Sequence, residues 1–134
     1  MIIGGSYGQI GACVLGARAA LKTGRGLVSA YLPGCAYFIM QSSLTEAMCL
    51  TDPSENYISQ IPDLSSYSAV AIGMGIGQHP KTEEAFLTSL SLFPETKLII
   101  DADALNILSK QKNPFEHLPK HSISPPIQKN YSVS

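Results

Sequence analysis

Two β-branched residues, Ile2 and Ile3, run directly into Gly4-Gly5-Ser6-Tyr7-Gly8-Gln9-Ile10-Gly11-Ala12, and that stretch runs into Cys13-Val14-Leu15-Gly16-Ala17-Arg18-Ala19-Ala20-Leu21-Lys22. This succession allows few folds. It reads as a short buried strand, a tight glycine turn and a helix over 12–22, with Val14, Leu15 and Leu21 inward and Arg18 and Lys22 on the opposite side. Ser6 stands where a turn or helix start takes a short hydroxyl, and Gly24 suits a left-handed cap past the last turn. A loop of this kind leaves backbone N–H groups at a helix N-terminus, where an anion is stabilised by hydrogen bonds and by the helix dipole. Small residues also serve plain helix-on-strand packing, and this stretch alone leaves both readings open. The spacing Gly5-x-x-Gly8-x-x-Gly11 is not the dinucleotide fingerprint G-x-G-x-x-G, and the chain contains no G-x-x-x-x-G-K-[ST].

The same rhythm returns twice. Beyond the Gly24–Gly26 corner, residues 27–32 form a β-rich run closed by Pro33-Gly34, completing a strand–helix–strand unit with a right-handed crossover. Residues 35–41 and 44–50 fit a helix or a strand. Residues 51–64, with Asp52-Pro53-Ser54 and Pro62-Asp63, are rich in turn formers and read as a surface segment. Ala69-Val70-Ala71-Ile72 is a continuous apolar run of the kind buried on both faces of a parallel sheet, and it feeds Gly73-Met74-Gly75-Ile76-Gly77. Residues 82–92 predict an amphipathic helix that starts at Lys81 or Thr82, with Phe86, Leu87, Leu90 and Leu92 inward. Lys97-Leu98-Ile99-Ile100 then delivers Asp101-Ala102-Asp103-Ala104-Leu105-Asn106 at its carboxyl end, followed by a short helix to Lys110.

Glycine or carboxylate clusters therefore end three strands of one alternating chain. In open parallel sheets that edge is where ligands bind. Asp101 and Asp103 at i, i+2 are unsuited to act as a matched carboxylate pair. Either one faces a ligand while the other caps the next helix, or both cap.

Composition narrows the function classes. The chain has 134 residues, 45% hydrophobic and 14% charged, which supports one domain with a sizeable core. Nine basic against ten acidic residues leave a net charge of -1, so no basic field for nucleic acid exists. No run has the length of a membrane span and Met1-Ile2-Ile3-Gly4 lacks a signal-peptide pattern, so the expected compartment is the cytoplasm. Cys13, Cys35 and Cys49 lack C-x-x-C spacing and read as reduced core thiols, with no metal site.

At these residues the chain resembles the NAD(P)H-hydrate dehydratase family, ribokinase-like enzymes that repair hydrated nicotinamide cofactors. The family's G-G-S-x-G-x-x-G-A followed by A-R-A-A-L-x-T-G-x-G-L-V is matched from Gly4 through Val28, its G-x-G-x-G by Gly73, Gly75 and Gly77, and its D-A-D-A-L-N by Asp101 to Asn106. The resemblance covers roughly residues 2 to 110 and implies a three-layer α/β/α, ribokinase-like fold with a mostly parallel sheet, here truncated. It implies dehydration of the S epimer of NADHX or NADPHX with ADP or ATP, Mg2+ accompanying the nucleotide in the full-length family member. The products are NADH or NADPH, AMP or ADP, and phosphate. Ala12 and the glycines Gly73, Gly75 and Gly77 are then expected against the hydrated nicotinamide nucleotide. Gly5, Ser6, Gly8, Asp101, Asp103 and Asn106 are expected near phosphates.

The departures are as informative. Nothing in the chain resembles the later G-T-G-D segment in which the family keeps its catalytic aspartate, nor the segments that hold the adenine nucleotide. The expected organisation is therefore the N-terminal part of such a domain over 1–121 and an aberrant tail over 122–134, inactive as it stands. Where the family has T-P-H-P-x-E-[FL], this chain has Ser124-Pro125-Pro126-Ile127-Gln128-Lys129-Asn130-Tyr131. Read one base earlier, its codons permit Thr-Pro-His-Pro-Lys-Glu-Leu, so the tail is expected to be a frameshifted translation of that motif, the alternative being an unrelated tail with a chance codon match, and the gene sequence decides it. His79, His117 and His121 are not the family's substrate histidine; His79 follows the second glycine cluster and either approaches a ligand or faces solvent. Half a parallel sheet leaves an exposed strand edge and an uncovered apolar face, from which self-association into a homo-oligomer is expected. A ribokinase-like small-molecule kinase, or a non-catalytic nucleotide-binding or interaction module, are the alternative functions.

Overall fold

A computed structural model describes residues 1–22, 27–112, 118–120 and 122–123. The Gly24–Gly26 corner, His117, His121 and the 124–134 tail lie outside the described residues. In chain order the elements are β1 (Ile2–Ile3), α1 (Gly11–Lys22), β2 (Ser29–Leu32), α2 (Tyr37–Ser43), β3 (Met48–Thr51), β4 (Val70–Ile72), α3 (Pro80–Leu92), β5 (Leu98–Ile100) and α4 (Ala102–Ser109). A 3-10 turn over Gly34–Ala36 leads into α2.

The five strands form one all-parallel sheet in the order β3-β2-β1-β4-β5. Ile2 pairs with Ala30 on one side and Ala71 on the other, so the two-residue β1 is the central strand. Successive side chains alternate faces, and each face has its own core. Ile2, Ala30 and Leu32 pack with Cys13, Val14 and Ala17 of α1 and Met40 of α2. Ile3, Val70, Ile72, Leu98 and Ile100 pack with Phe86 and Leu90 of α3 and Ala104, Ile107 and Leu108 of α4. Two helix layers on a parallel sheet make a three-layer α/β/α architecture.

Several local expectations change. Helix α1 begins at Gly11, and its buried stripe is Cys13, Val14 and Ala17, which leaves Leu15 64% exposed a third of a turn away. Helix α3 begins earlier than expected, at Pro80, because His79 caps it: the ring Nδ1 accepts from the Lys81 N–H at 3.1 Å. Leu92, at the end of its last turn, is 64% exposed instead of inward. The two ambiguous stretches resolve as α2 and β3. The turn-rich 51–64 segment is not a simple surface loop: Asp52, Ile58 and Leu64 are buried, Ile58 and Leu64 within the α3/α4-side core.

At the β5 edge, Ile99 alternates with the buried Leu98 and Ile100 and is 40% exposed. Ile123 bridges Ile99 in parallel: Ile100 N donates to Ile123 O at 2.9 Å, and Ile123 N to Leu98 O at 2.8 Å. The outer edge of β5 thus already carries the beginning of a further parallel pairing. Among the described residues, no helix is long and apolar enough to cross a membrane.

Candidate functional site

In a sheet of this order the chain leaves β1 toward β2 and β3 and returns on the other side through β4, so the β1/β4 carboxyl ends form the switch point where α/β proteins open a crevice. Both glycine loops lie there, and they are laced together. Gly5 N donates to Met74 O at 2.9 Å, and the buried Ser6 Oγ donates to Gly75 O at 2.7 Å. Ser6 is therefore a tie between the loops and not a cap. Gly73 N donates to Ile3 O and Asp103 N to Gly73 O, each at 3.2 Å.

The two aspartates divide their work. Asp101 is the N-cap of α4 and accepts from Ala102 N at 2.8 Å. Asp103 Oδ2 accepts from Gly77 N at 2.9 Å, so its carboxylate holds the second glycine loop against the start of α4. Of the residues expected near phosphates, Gly5, Ser6 and Asp103 thus meet at the laced loops together with Gly73, Gly75 and Gly77. Asn106 is exposed further along α4, and Gly8 and Ala12 are exposed near the start of α1.

The structure separates the two readings of the glycines. At Gly75, φ is +74° and a Cβ would sit 2.2 Å from Gln9 O; this glycine is required for loop-on-loop packing. A Cβ at Gly8 or Gly11 would meet nothing within 4 Å. These two face open space. Gly8 and Gly11 line a cleft of about 360 Å³ with Tyr7, Ile10, Cys35 and Ile39; Ala12, the next residue of α1, is exposed but does not line it. The first turn of a helix carries N–H groups that intrahelical bonding does not use, and α1 begins beside this cleft.

A feature that sequence reasoning passed over supports the first loop from the side. Asp52, 5% exposed, accepts four hydrogen bonds: Tyr31 OH at 2.7 Å, Ser59 Oγ at 2.6 Å, Ser54 N at 2.9 Å and Gln60 N at 3.0 Å. Burial alone raises its carboxyl, but the Ser59, Ser54 and Tyr31 bonds outweigh burial and hold it below the ordinary 3.8. Burial and the neighbouring Asp52 push the Tyr31 hydroxyl up. The segment so anchored reaches the glycine loop, since Tyr7 N donates to Asn56 O at 2.8 Å. Asp52-Pro53-Ser54 signals an Asx turn in sequence; its burial under Tyr31 has no such signal. Among the thiols, burial pushes Cys13 up to about 12, which makes it an inert core group.

The described residues contain no group of three His, Cys, Asp or Glu side chains that could hold a metal ion. With Asp101 spent on a cap and Asp103 on Gly77, these residues do not fit a resident Mg2+ by themselves.

An open parallel sheet with glycine loops at its switch point defines an α/β protein of the doubly wound type. Solved structures agree on the fold. A hypothetical protein of Streptococcus mutans superposes with a TM-score of 0.70 at 21% identity, covering 92% of this chain and 56% of the other. A ribokinase-like superfamily protein of Enterococcus faecalis does so with 0.67 at 19% identity, covering 81% and 38%.

The sequence gives the particular family. The family model described as NAD(P)H-hydrate dehydratase matches residues 1–132, and the chain belongs to that family. Among its relatives, the bifunctional NAD(P)H-hydrate repair enzyme Nnr of Moorella thermoacetica is 34% identical over 119 residues, 81% of this chain and 22% of that protein. The ADP-dependent (S)-NAD(P)H-hydrate dehydratase of Listeria monocytogenes is 30% identical, across 85% of this chain and 41% of its own length. That of Streptococcus thermophilus is 28% identical across 98% and 46%. The chain thus spans less than half the length of these curated relatives.

Proposed function

We propose that this chain forms the substrate side of an ADP-dependent (S)-NAD(P)H-hydrate dehydratase. In this reading the S epimer of NADHX or NADPHX lies along the carboxyl edge of β1 and β4. The observation that carries it is the contrast within the first glycine loop. Its partner loop uses glycine to pack, while Gly8 and Gly11 leave an open cleft at the start of α1. Backbone N–H groups there suit a pyrophosphate or phosphate oxygen, and Gly73, Gly75 and Gly77 form the wall against the hydrated nicotinamide.

In the reaction, transfer of a phosphoryl group from ADP to the substrate hydroxyl makes a leaving group. The transfer itself leaves AMP, and loss of phosphate together with a ring proton then restores NADH or NADPH. With ATP the released nucleotide is ADP. This chain's share is positional: Asp103 and Ser6 lock the two loops so that the edge is formed before substrate arrives. The catalytic aspartate and the donor-nucleotide cradle belong to the later part of a full-length family domain, which the 1–121 portion does not supply, and Mg2+ belongs with the donor. Cytoplasmic location and self-association into a homo-oligomer complete the reading.

The increase in reduced-nicotinamide absorbance on mixing (S)-NADHX and ADP tests it. This chain alone is expected to give no rate above the uncatalysed background, and a chimera carrying the later part of the Listeria dehydratase is expected to give one. A folded chimera that leaves the hydrate untouched yet phosphorylates a small alcohol moves the reading to a kinase.

A further inference from the structure

Tyr57 and His79 form a flat two-ring stack at the same edge of the molecule, with centroids 3.8 Å apart and planes 6° from parallel. Both rings are held. His79 Nδ1 accepts from Lys81 N at 3.1 Å, which fixes the ring at the start of α3. Tyr57 sits between two anchored carbonyls: Asn56 O accepts from Tyr7 N at 2.8 Å, and Ile58 O accepts from the buried Thr82 Oγ1 at 2.6 Å. His79 follows Gly77-Gln78, and Lys110 Nζ bonds both Gln78 Oε1 and, at 3.2 Å, Glu83 Oε2, which braces the approach to the ring. Tyr57 is half-buried, whereas His79 is exposed although one of its faces lies on Tyr57. His79 is thus the more solvent-accessible member of the pair.

A flat aromatic pair with an exposed outer member, beside a glycine loop at the ligand-binding edge of a parallel sheet, suits a planar heteroaromatic ring. We propose that the Tyr57–His79 pair is a stacking platform for a ring of the bound nucleotide, with His79 the contacting residue and Tyr57 its support. The inference rests on the nucleotide-binding reading and adds to it a subsite, on the α3 side of the second glycine loop. Adenine and nicotinamide share the required chemistry, so the two sources are separated by probe.

Isothermal titration of this chain with AMP and with nicotinamide mononucleotide, repeated for His79→Ala, His79→Phe and Tyr57→Leu, tests the platform. Base-on-aromatic stacking lost on truncation corresponds to about a tenfold weakening. His79→Ala is expected to weaken one mononucleotide about tenfold and leave the other unchanged, which identifies the ring. His79→Phe keeps a flat face and is expected to stay within about threefold of the unsubstituted chain, and Tyr57→Leu to fall between. Both His79 variants lose the α3 cap, so a purely structural role lowers their melting temperatures alike and does not separate their affinities. Equal affinities across all variants overturn the platform and leave the nucleotide reading standing. Uptake of neither probe by the unsubstituted chain overturns both.

Discussion

Replacing Gly73 with alanine is expected to lower the unfolding free energy by about 4 kcal/mol or more, at the upper end for a single substitution. Gly73 ends β4 at φ +132°, and a Cβ built there lies 1.8 Å from Asp101 O, 2.8 Å from Asp101 C and 2.9 Å from Ala104 Cβ. Two of those atoms are backbone and the third is the Cβ of a fully buried residue, so no flexible side chain can yield. Relief requires separating the carboxyl ends of β4 and β5, where Asp101 N donates to Ile72 O at 3.1 Å and Asp103 N to Gly73 O at 3.2 Å. Gly8→Ala is the matched comparison. It keeps the left-handed strain, at φ +84°, but meets open space, and should cost only about 1–2 kcal/mol. Gly11→Ala lies in the first turn of α1 with nothing nearby and is expected within about 1 kcal/mol of the unsubstituted chain, in either direction. Denaturant unfolding of the three variants checks the order, and a Gly73→Ala chain as stable as Gly8→Ala contradicts the packed geometry.

The second large effect is at Asp52. Asp52→Ala strands the buried Tyr31 hydroxyl and removes the acceptor of three other donors, for an expected loss of about 3 kcal/mol. Asp52→Asn keeps the shape but turns one accepting oxygen into a donor facing donors, and is expected to lose about 2 kcal/mol. The pH dependence follows from the direction of the shift. A carboxyl whose folded value lies below its unfolded value of 3.8 contributes stability above that value, and the contribution is lost as pH falls through the folded value. The unsubstituted chain should therefore lose stability on acidification below about pH 4, more steeply than Asp52→Asn. Tyr31 has the opposite sign: its raised hydroxyl contributes below 10.0 and is lost as pH rises through the folded value, a loss that Tyr31→Phe removes. Melting curves across pH for the three chains measure both. Because Asn56 O carries the Tyr7 N–H, loosening Asp52 also frees the first glycine loop, which links this stability effect to the site.

Elements whose signal is local were legible in the sequence. Val70–Ile72 and Leu98–Ile100 are continuous apolar runs ended by Gly73 and Asp101, the pattern of strands in a covered parallel sheet, although Ile99 on the edge strand stays 40% exposed. Leu15 and Leu92 misled because hydrophobicity marks what can be buried, whereas the neighbouring layer decides what is. Cys13 and Ala17, small enough to let α1 approach the sheet, took the buried stripe that Leu15 was expected to share. The 51–64 segment reads as surface because turn residues fill it; its burial depends on Asp52 finding Tyr31, a contact between separate elements that no spacing encodes. Likewise the glycine motif placed both loops at the carboxyl edge of the sheet, yet only three dimensions distinguish Gly75, which packs, from Gly8 and Gly11, which face open space.

The central claim, that the two glycine loops and the start of α1 form the substrate side of a hydrate-dehydratase site, is tested most directly by binding mapped at residue level. Isotope-labelled chain titrated with (S)-NADPHX is expected to show saturable backbone-amide shifts at Gly8, Gly11, Ala12, Gly75 and Gly77. No saturable shifts, or shifts confined to the groove of about 260 Å³ beside α3 at Thr88, Leu92 and Phe93, would contradict it.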